Sequence, residues 1–226
     1  MGQNREAERA EAYATALLLT LSGGFQDAYT YCLRGRVFAN AQTGNVVLFS
    51  AHLLRGHFGD VLRYLIPIAA FVLGTCLAEG IRLLFRRAER LHWRQTVLLT
   101  EILVLFTVGF IAEDDLANAL VSFSCAMQVQ SFRKMRGDAY ASTMCIGNLR
   151  SGAELLCAYA QTRDSAQLRR VLRYGGVLVS FAVGAGAGSA ASLVWGAPSI
   201  WCSCALLIVC FLLLFPPRKG SAHPTP

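Results

Sequence analysis

Apolar residues run along this chain in long stretches, without the strict alternation of half-buried strands or the narrow stripe of a surface helix. The clearest are Tyr13–Leu33, Arg63–Leu84, Gln95–Ile111, Leu116–Phe132, Val171–Leu193 and Ile200–Phe215. Each is close to the ~20 residues that a bilayer-spanning helix requires. Two further stretches, Thr43–Leu54 and Thr143–Tyr159, are shorter or more polar, and each begins around a Gly–Asn pair. The pattern predicts an all-α membrane protein in a single integral domain.

The pattern also repeats. The run Ala41–Asn45 (AQTGN) followed by Val61–Tyr64 (VLRY) recurs as Met144–Asn148 (MCIGN) followed by Val171–Tyr174 (VLRY). Beyond each VLRY the register holds without a gap, since Phe71 and Gly74 fall where Phe181 and Gly184 fall. Upstream, Gln26 corresponds to Gln128 within one residue of slippage. Matching flanks in the same order indicate an internal duplication, with residues 13–112 as the first copy and 116–215 as the second.

Basic residues choose between topologies. If both Gly–Asn stretches span, there are eight crossings; if both are re-entrant, there are six. Lys and Arg accumulate in short cytoplasmic loops. With six crossings and the amino terminus inside, all but Arg34, Arg36, Arg55 and Arg63 of the 21 basic residues are cytoplasmic. The eight-crossing count divides them evenly, so six is the expectation. Residues 1–12 and 216–226 then form a cytoplasmic segment and a cytoplasmic tail. Three crossings per copy is an odd number, so the second copy enters from the opposite side. Two inverted three-helix repeats, each with a re-entrant half-helix, are a recurring plan of transporters with a site near the midplane.

Composition agrees: 54% hydrophobic residues and 15% charged, with a mean hydropathy of +0.44, fit a chain whose solvent is lipid. The net charge of +7 lies at the ends of apolar segments without a contiguous basic face, so nucleic acid is not an expected partner. All eight cysteines lie in or beside apolar segments, where they act as small hydrophobes. His52, His57, His92 and His223 show no metal-ligand spacing, and no catalytic motif or cofactor fingerprint occurs. Neither an enzyme nor a metal or cofactor site is expected.

Candidate chemistry is confined to a few polar residues at membrane depth. Gly44 is expected to reverse the chain through a positive φ, with Thr43 or Asn45 capping a helix that starts at Val46. Gly147 and Asn148 repeat this, so two half-helix N-termini would converge on an anion or polar group. The other reading is that both asparagines only satisfy loose backbone and seal the halves. Asp27 is an intramembrane carboxylate and so a functional candidate by default. Gly23–Gly24 would kink its helix, with Gln26 alongside and Gln128 in the second copy. The competing role for Asp27 is a cap or a pair with Arg34 or Arg36. Glu101 is the other acid of interest, with Arg94 or a neighbouring helix as its structural partner. Glu79 with Arg82 and Glu154 with Arg150 read as local ion pairs. Gly176, Gly184, Gly186 and Gly188 mark a close-packing helix face.

The segments GGFQDAYTY and GRVFANAQTGNVV resemble the signatures of the YoaK-like family of bacterial multi-pass inner-membrane proteins, a domain of unknown function. The resemblance extends from about Ala14 to Phe215 and marks Asp27, Phe38, Thr43, Gly44 and Asn45. It implies a fold and an inner-membrane location without a substrate. Ile146 stands where the first copy has Thr43, so the two turns are not equivalent.

The sequence therefore leads to a small-molecule transporter or permease, proton-coupled through Asp27, taking a small polar or anionic molecule between the repeats. The lipid bilayer is its solvent, and homo-oligomerisation is left open. The second reading is a non-catalytic membrane scaffold or accessory subunit whose repeats serve only packing.

Overall fold

The computed structural model describes residues 10–85 and 93–215. The expected cytoplasmic termini, and Arg86, Arg87, Arg90, His92 and His223, lie wholly or largely outside the described residues. Among the described residues the fold is all-α apart from one small hairpin. The helices are α1 (Tyr13–Leu33), α2 (Gln42–Leu54), α3 (Phe58–Leu84), α4 (Trp93–Val108), α5 (Asp114–Ser131), α6 (Cys145–Thr162), α7 (Ser165–Trp195) and α8 (Ile200–Leu213).

Local chemistry sets several ends. The carboxylate of Glu113 accepts the N–H groups of Asp115 and Leu116 at 3.2 and 2.6 Å, capping α5, while Asp114 and Asp115 place negative charge at its positive end. Asp164 caps α7 by accepting the N–H of Ala166 at 2.8 Å. α7 stops at Gly196, whose φ of +60° and the following Pro198 prevent continuation. α3 and α7 begin earlier than the apolar runs Arg63–Leu84 and Val171–Leu193, because these caps and turns precede the apolar part.

α3 and α7 are long and apolar enough to cross a membrane. Each turns a row of large apolar side chains outward, among them Leu65, Val72 and Leu73 on α3 and Leu172, Val179 and Val183 on α7. An outward apolar face of this extent calls for an apolar partner or lipid.

α1 packs along α7, and α3 along α5; α2 lies on α3, and α6 on α7. α4 touches α5 and α8, and α8 touches α1. Exchanging the first four helices for the last four maps these principal contacts onto themselves. Equivalent glycines make the closest approaches. A Cβ at Gly74 would collide with the carbonyl of Phe123 on α5, and one at Gly184 with the carbonyl of Leu21 on α1. Gly188 lies as closely against the carbonyl of Phe25. The small-residue face of α7 is thus a packing surface, as its spacing suggests. Gly186 points to open space.

Gly23–Gly24 departs from expectation, because α1 continues through both as one helix. A Cβ on Gly24 would strike the carbonyl of Phe181, and one on Gly23 would lie 2.7 Å from Cγ2 of Thr143. Both glycines serve close approach rather than a kink.

Before α2 and before α6 the chain reverses through a pair of left-handed residues: Gly35 and Arg36 (φ +70° and +60°), then Arg136 and Gly137 (φ +50° and +84°). The second pair closes the hairpin of β1 (Lys134–Met135) and β2 (Asp138–Ala139), in which Lys134 faces Ala139. Two consecutive positive φ values suit a two-residue hairpin turn. The reversal expected at Gly44 therefore occurs upstream. Ala41 is the N-cap of α2 and Met144 that of α6, neither helix has a side-chain cap, and Gly44 and Gly147 are helical. Thr43 and Asn45 do not cap.

Candidate functional site

The segments entering α2 and α6 border a cavity of about 790 Å³, within the size range of small-molecule sites. One side carries Asn40, Gln42 and Thr43, the other Thr143, Gly147 and Asn148. Phe71 and Phe181, equivalent in the two copies, both line it. Among the described residues Asp27 is the one charged residue in its wall.

Asp27 reaches the wall from the middle of α1 and is 7% exposed. Its Oδ1 accepts the backbone N–H of Asn40 at 3.2 Å, while Nδ2 of Asn40 donates to the carbonyl of Gly23 at 3.3 Å. One turn on, the Thr30 hydroxyl accepts the N–H of Ala39 at 3.4 Å. The entry to α2 is thus laid along α1. Among the described residues Asp27 has no ion pair; Arg34 instead bonds Tyr29 and Asp114. The first turns of α2 and α6 border the same cavity, so unpaired backbone N–H groups and partial positive charge adjoin this carboxylate.

Both Gly–Asn asparagines bind their own entry segments. Nδ2 of Asn45 donates to the carbonyl of Phe38 at 3.2 Å and to Oε1 of Gln42 at 3.1 Å. Asn148 donates to the carbonyl of Ala141 at 2.7 Å and accepts its N–H at 3.3 Å. Each closes a loop reaching the same distance upstream, which satisfies backbone that no helix or sheet serves. Their neighbours Gly44 and Gly147 have nothing within 4 Å of an added Cβ.

Of the residues singled out in the sequence, Asp27, Thr43, Gly147 and Asn148 line the cavity, whereas Gln26, Gly44, Asn45, Gln128 and Glu101 do not. Gln26 donates to Ser22 and Ser203 at 3.1 and 3.0 Å. Gln128 donates to the carbonyl of Leu19 and the hydroxyl of Ser142 at 3.3 and 2.6 Å. Glu101 is fully buried on α4, with the side chain of Gln26 as its polar neighbour. It forms no ion pair among the described residues, so pairing with Arg94 is not its role. Glu79–Arg82 and Arg150–Glu154 pair locally as their spacing predicts.

Asn40 and Tyr140 are the residues that sequence reasoning missed. Asn40 lies within FANAQTGN, whose Asn45 drew the attention, and only docking onto α1 reveals its part. Tyr140 lines the cavity, and its buried hydroxyl has no hydrogen-bond partner. Ser122 links three helices: Gln42 donates to its hydroxyl at 2.6 Å, and that hydroxyl donates to the carbonyl of Pro67 at 2.8 Å.

Outside the cavity, Asp138 of the hairpin receives Arg170 and Arg173 of α7, each at 2.6 Å. Burial by itself would raise its pKa, but the two guanidinium groups outweigh that and hold the carboxyl below its ordinary 3.8. His52 and His57, which have no motif spacing, come together with Asp60 at the turn between α2 and α3.

No curated relative and no solved structure matches the chain. Residues 15–213 match a family described as Protein of unknown function (DUF1275), and the chain belongs to that family.

Proposed function

We propose that this chain is a six-span, non-enzymatic small-molecule transporter of the bacterial inner membrane, with both termini cytoplasmic and two inverted repeats meeting at the cavity. The YoaK-like resemblance accords with that location. The observation that carries the reading is the cavity itself, bordered by the starts of α2 and α6 and holding one carboxylate, Asp27, with no ion pair and no other charged neighbour in the wall among the described residues. The exchange symmetry of the helix contacts supports the repeats, and inverted repeats with a site at their interface are characteristic of carriers. Asp27 is placed to carry a proton or meet a cationic group. Its charge disfavours an anion, so the wall narrows the polar ligand to a small amphipathic molecule with a cationic or donor group.

The scaffold reading has one observation in its favour, because Asn45 and Asn148 are spent on backbone. Its other signature, an Asp27–arginine pair, is not found among the described residues.

Reconstituted liposomes with an imposed pH gradient and ethidium as a cationic amphipathic probe test the transport reading. Wild type is expected to move the dye faster than protein-free liposomes, and Asp27→Asn to abolish the difference. Wild type equal to protein-free liposomes would remove the cation-transport reading. Topology is tested separately, with single cysteines at Arg55 and Gln161 in a background lacking the native ones. An impermeant thiol reagent applied from outside should label the first and not the second; labelling of both from one side would exclude inversion.

A further inference from the structure

The turn joining α2 to α3 assembles three ligand side chains from sequence positions that no metal motif predicts. α2 ends at Leu54, Gly56 takes a φ of +74°, and the N–H of His57 returns to the carbonyl of His52 at 3.0 Å. That reversal sets His57 immediately before α3 and Asp60 in its first turn, opposite His52 on the last turn of α2. One ligand atom from each of His52, His57 and Asp60 then lies within 4.8 Å of the others.

His52 is held in place. Its ring stacks on Tyr64 with centroids 5.3 Å apart, and its Nδ1 faces Oδ2 of Asp60 at 3.4 Å. That nitrogen is shielded from solvent and makes no hydrogen bond, so its one close polar neighbour among the described residues is the Asp60 carboxylate. A nitrogen lone pair and a carboxylate oxygen facing each other in this way can share a cation. His57 and Asp60 are exposed, so rotation of their side chains brings the donors to the ~3.3 Å separation that tetrahedral bonds of about 2.0–2.1 Å require.

We propose that His52, His57 and Asp60 form a three-ligand site for a divalent transition metal of the zinc class, clamping the end of α2 to the start of α3. Two imidazole nitrogens and one carboxylate oxygen suit zinc, whereas magnesium and calcium prefer all-oxygen shells. Three protein ligands leave a fourth position for water. The site is separate from the cavity and does not depend on the transport reading.

Titrating the full chain in detergent with zinc chloride in a calorimeter, with X-ray absorption on the loaded protein, tests the site. Wild type should bind zinc with nitrogen and oxygen ligation only. His57→Gln and Asp60→Asn, both at exposed positions and therefore expected to fold, should each weaken binding by more than the ~10-fold lower bound typical of a lost outer-shell partner. Sulfur ligation, affinity unchanged in both variants, or no binding by wild type would overturn the site.

Discussion

Oδ1 of Asp27 accepts the backbone N–H of Asn40 at 3.2 Å, and this contact between α1 and the entry to α2 gives the carboxylate two tasks. It holds the loop and is the one ionisable acid in the cavity wall among the described residues. The tasks separate on mutation, because an asparagine side chain still offers an oxygen to Asn40. Asp27→Asn should leave the unfolding temperature nearly unchanged while weakening ethidium binding at least about tenfold, or ~1.4 kcal/mol. Asp27→Ala should lose both the affinity and about 1 kcal/mol of stability. Fluorescence titration and thermal unfolding in the same detergent check this. Equal stability losses in the two variants would show that the charge has no role apart from the fold.

The two asparagine clasps differ in strength. Asn148 both donates to and accepts from Ala141, while Asn45 reaches the backbone only as a donor. The Phe38 carbonyl also accepts the N–H of Ala41 at 3.2 Å, so it keeps a partner without Asn45, whereas leaving backbone groups such as those of Ala141 unsatisfied costs roughly 1–3 kcal/mol. Thermal unfolding should therefore place Asn148→Ala below Asn45→Ala, and both below wild type. A cavity-only role for Asn148 predicts altered probe binding at unchanged stability.

Gly184 and Gly186 lie on the same helix with different surroundings. A methyl at Gly184 meets the carbonyl of Leu21, whereas one at Gly186 meets nothing within 4 Å. Gly184→Ala should cost about 1–3 kcal/mol by forcing α7 from α1. Gly186→Ala should be neutral or slightly stabilising, since alanine is the better helix former. The same contrast is expected between Gly74→Ala and Gly80→Ala on α3. Unfolding midpoints decide it, and similar losses at both members of a pair would refute the close-approach account.

Asp138 ties the hairpin to α7 through Arg170 and Arg173. Its folded pKa is depressed below 3.8, so its contribution is fully present above that value and is lost as pH falls through the folded pKa. The unfolding temperature of wild type should exceed that of Asp138→Asn by a steady margin near neutral pH. Below 3.8 the margin should shrink. A margin unchanged down to pH ~3 would show that the carboxylate's charge is not what stabilises the hairpin.

Much of the fold was legible along the chain. α1 begins and ends where the apolar run Tyr13–Leu33 does, and the glycine spacing of α7 already indicated a packing face. Boundaries failed where polar features intervene, as at α3, which starts straight after the Gly56 turn, and at α7, which Asp164 caps ahead of the apolar run. The site was legible in part. Asp27 stood out because a carboxylate inside an apolar stretch has no local explanation, whereas Asn40 looks like any loop asparagine until its N–H meets Asp27.

Sequence alone determined that the chain is all-α, that AQTGN…VLRY recurs as MCIGN…VLRY, and that Asp27 has no counterpart acid in the second stretch, since hydrophobicity, helix propensity and repetition are local properties. Tertiary structure decided what the polar residues do. Gly23–Gly24 became a contact rather than a kink, Gly44 and Gly147 became helical, and Glu101 was buried beside Gln26 instead of pairing with Arg94. His52, His57 and Asp60 met across a turn. A side chain's partner is set by which helices lie against its own, and that depends on how the whole chain packs.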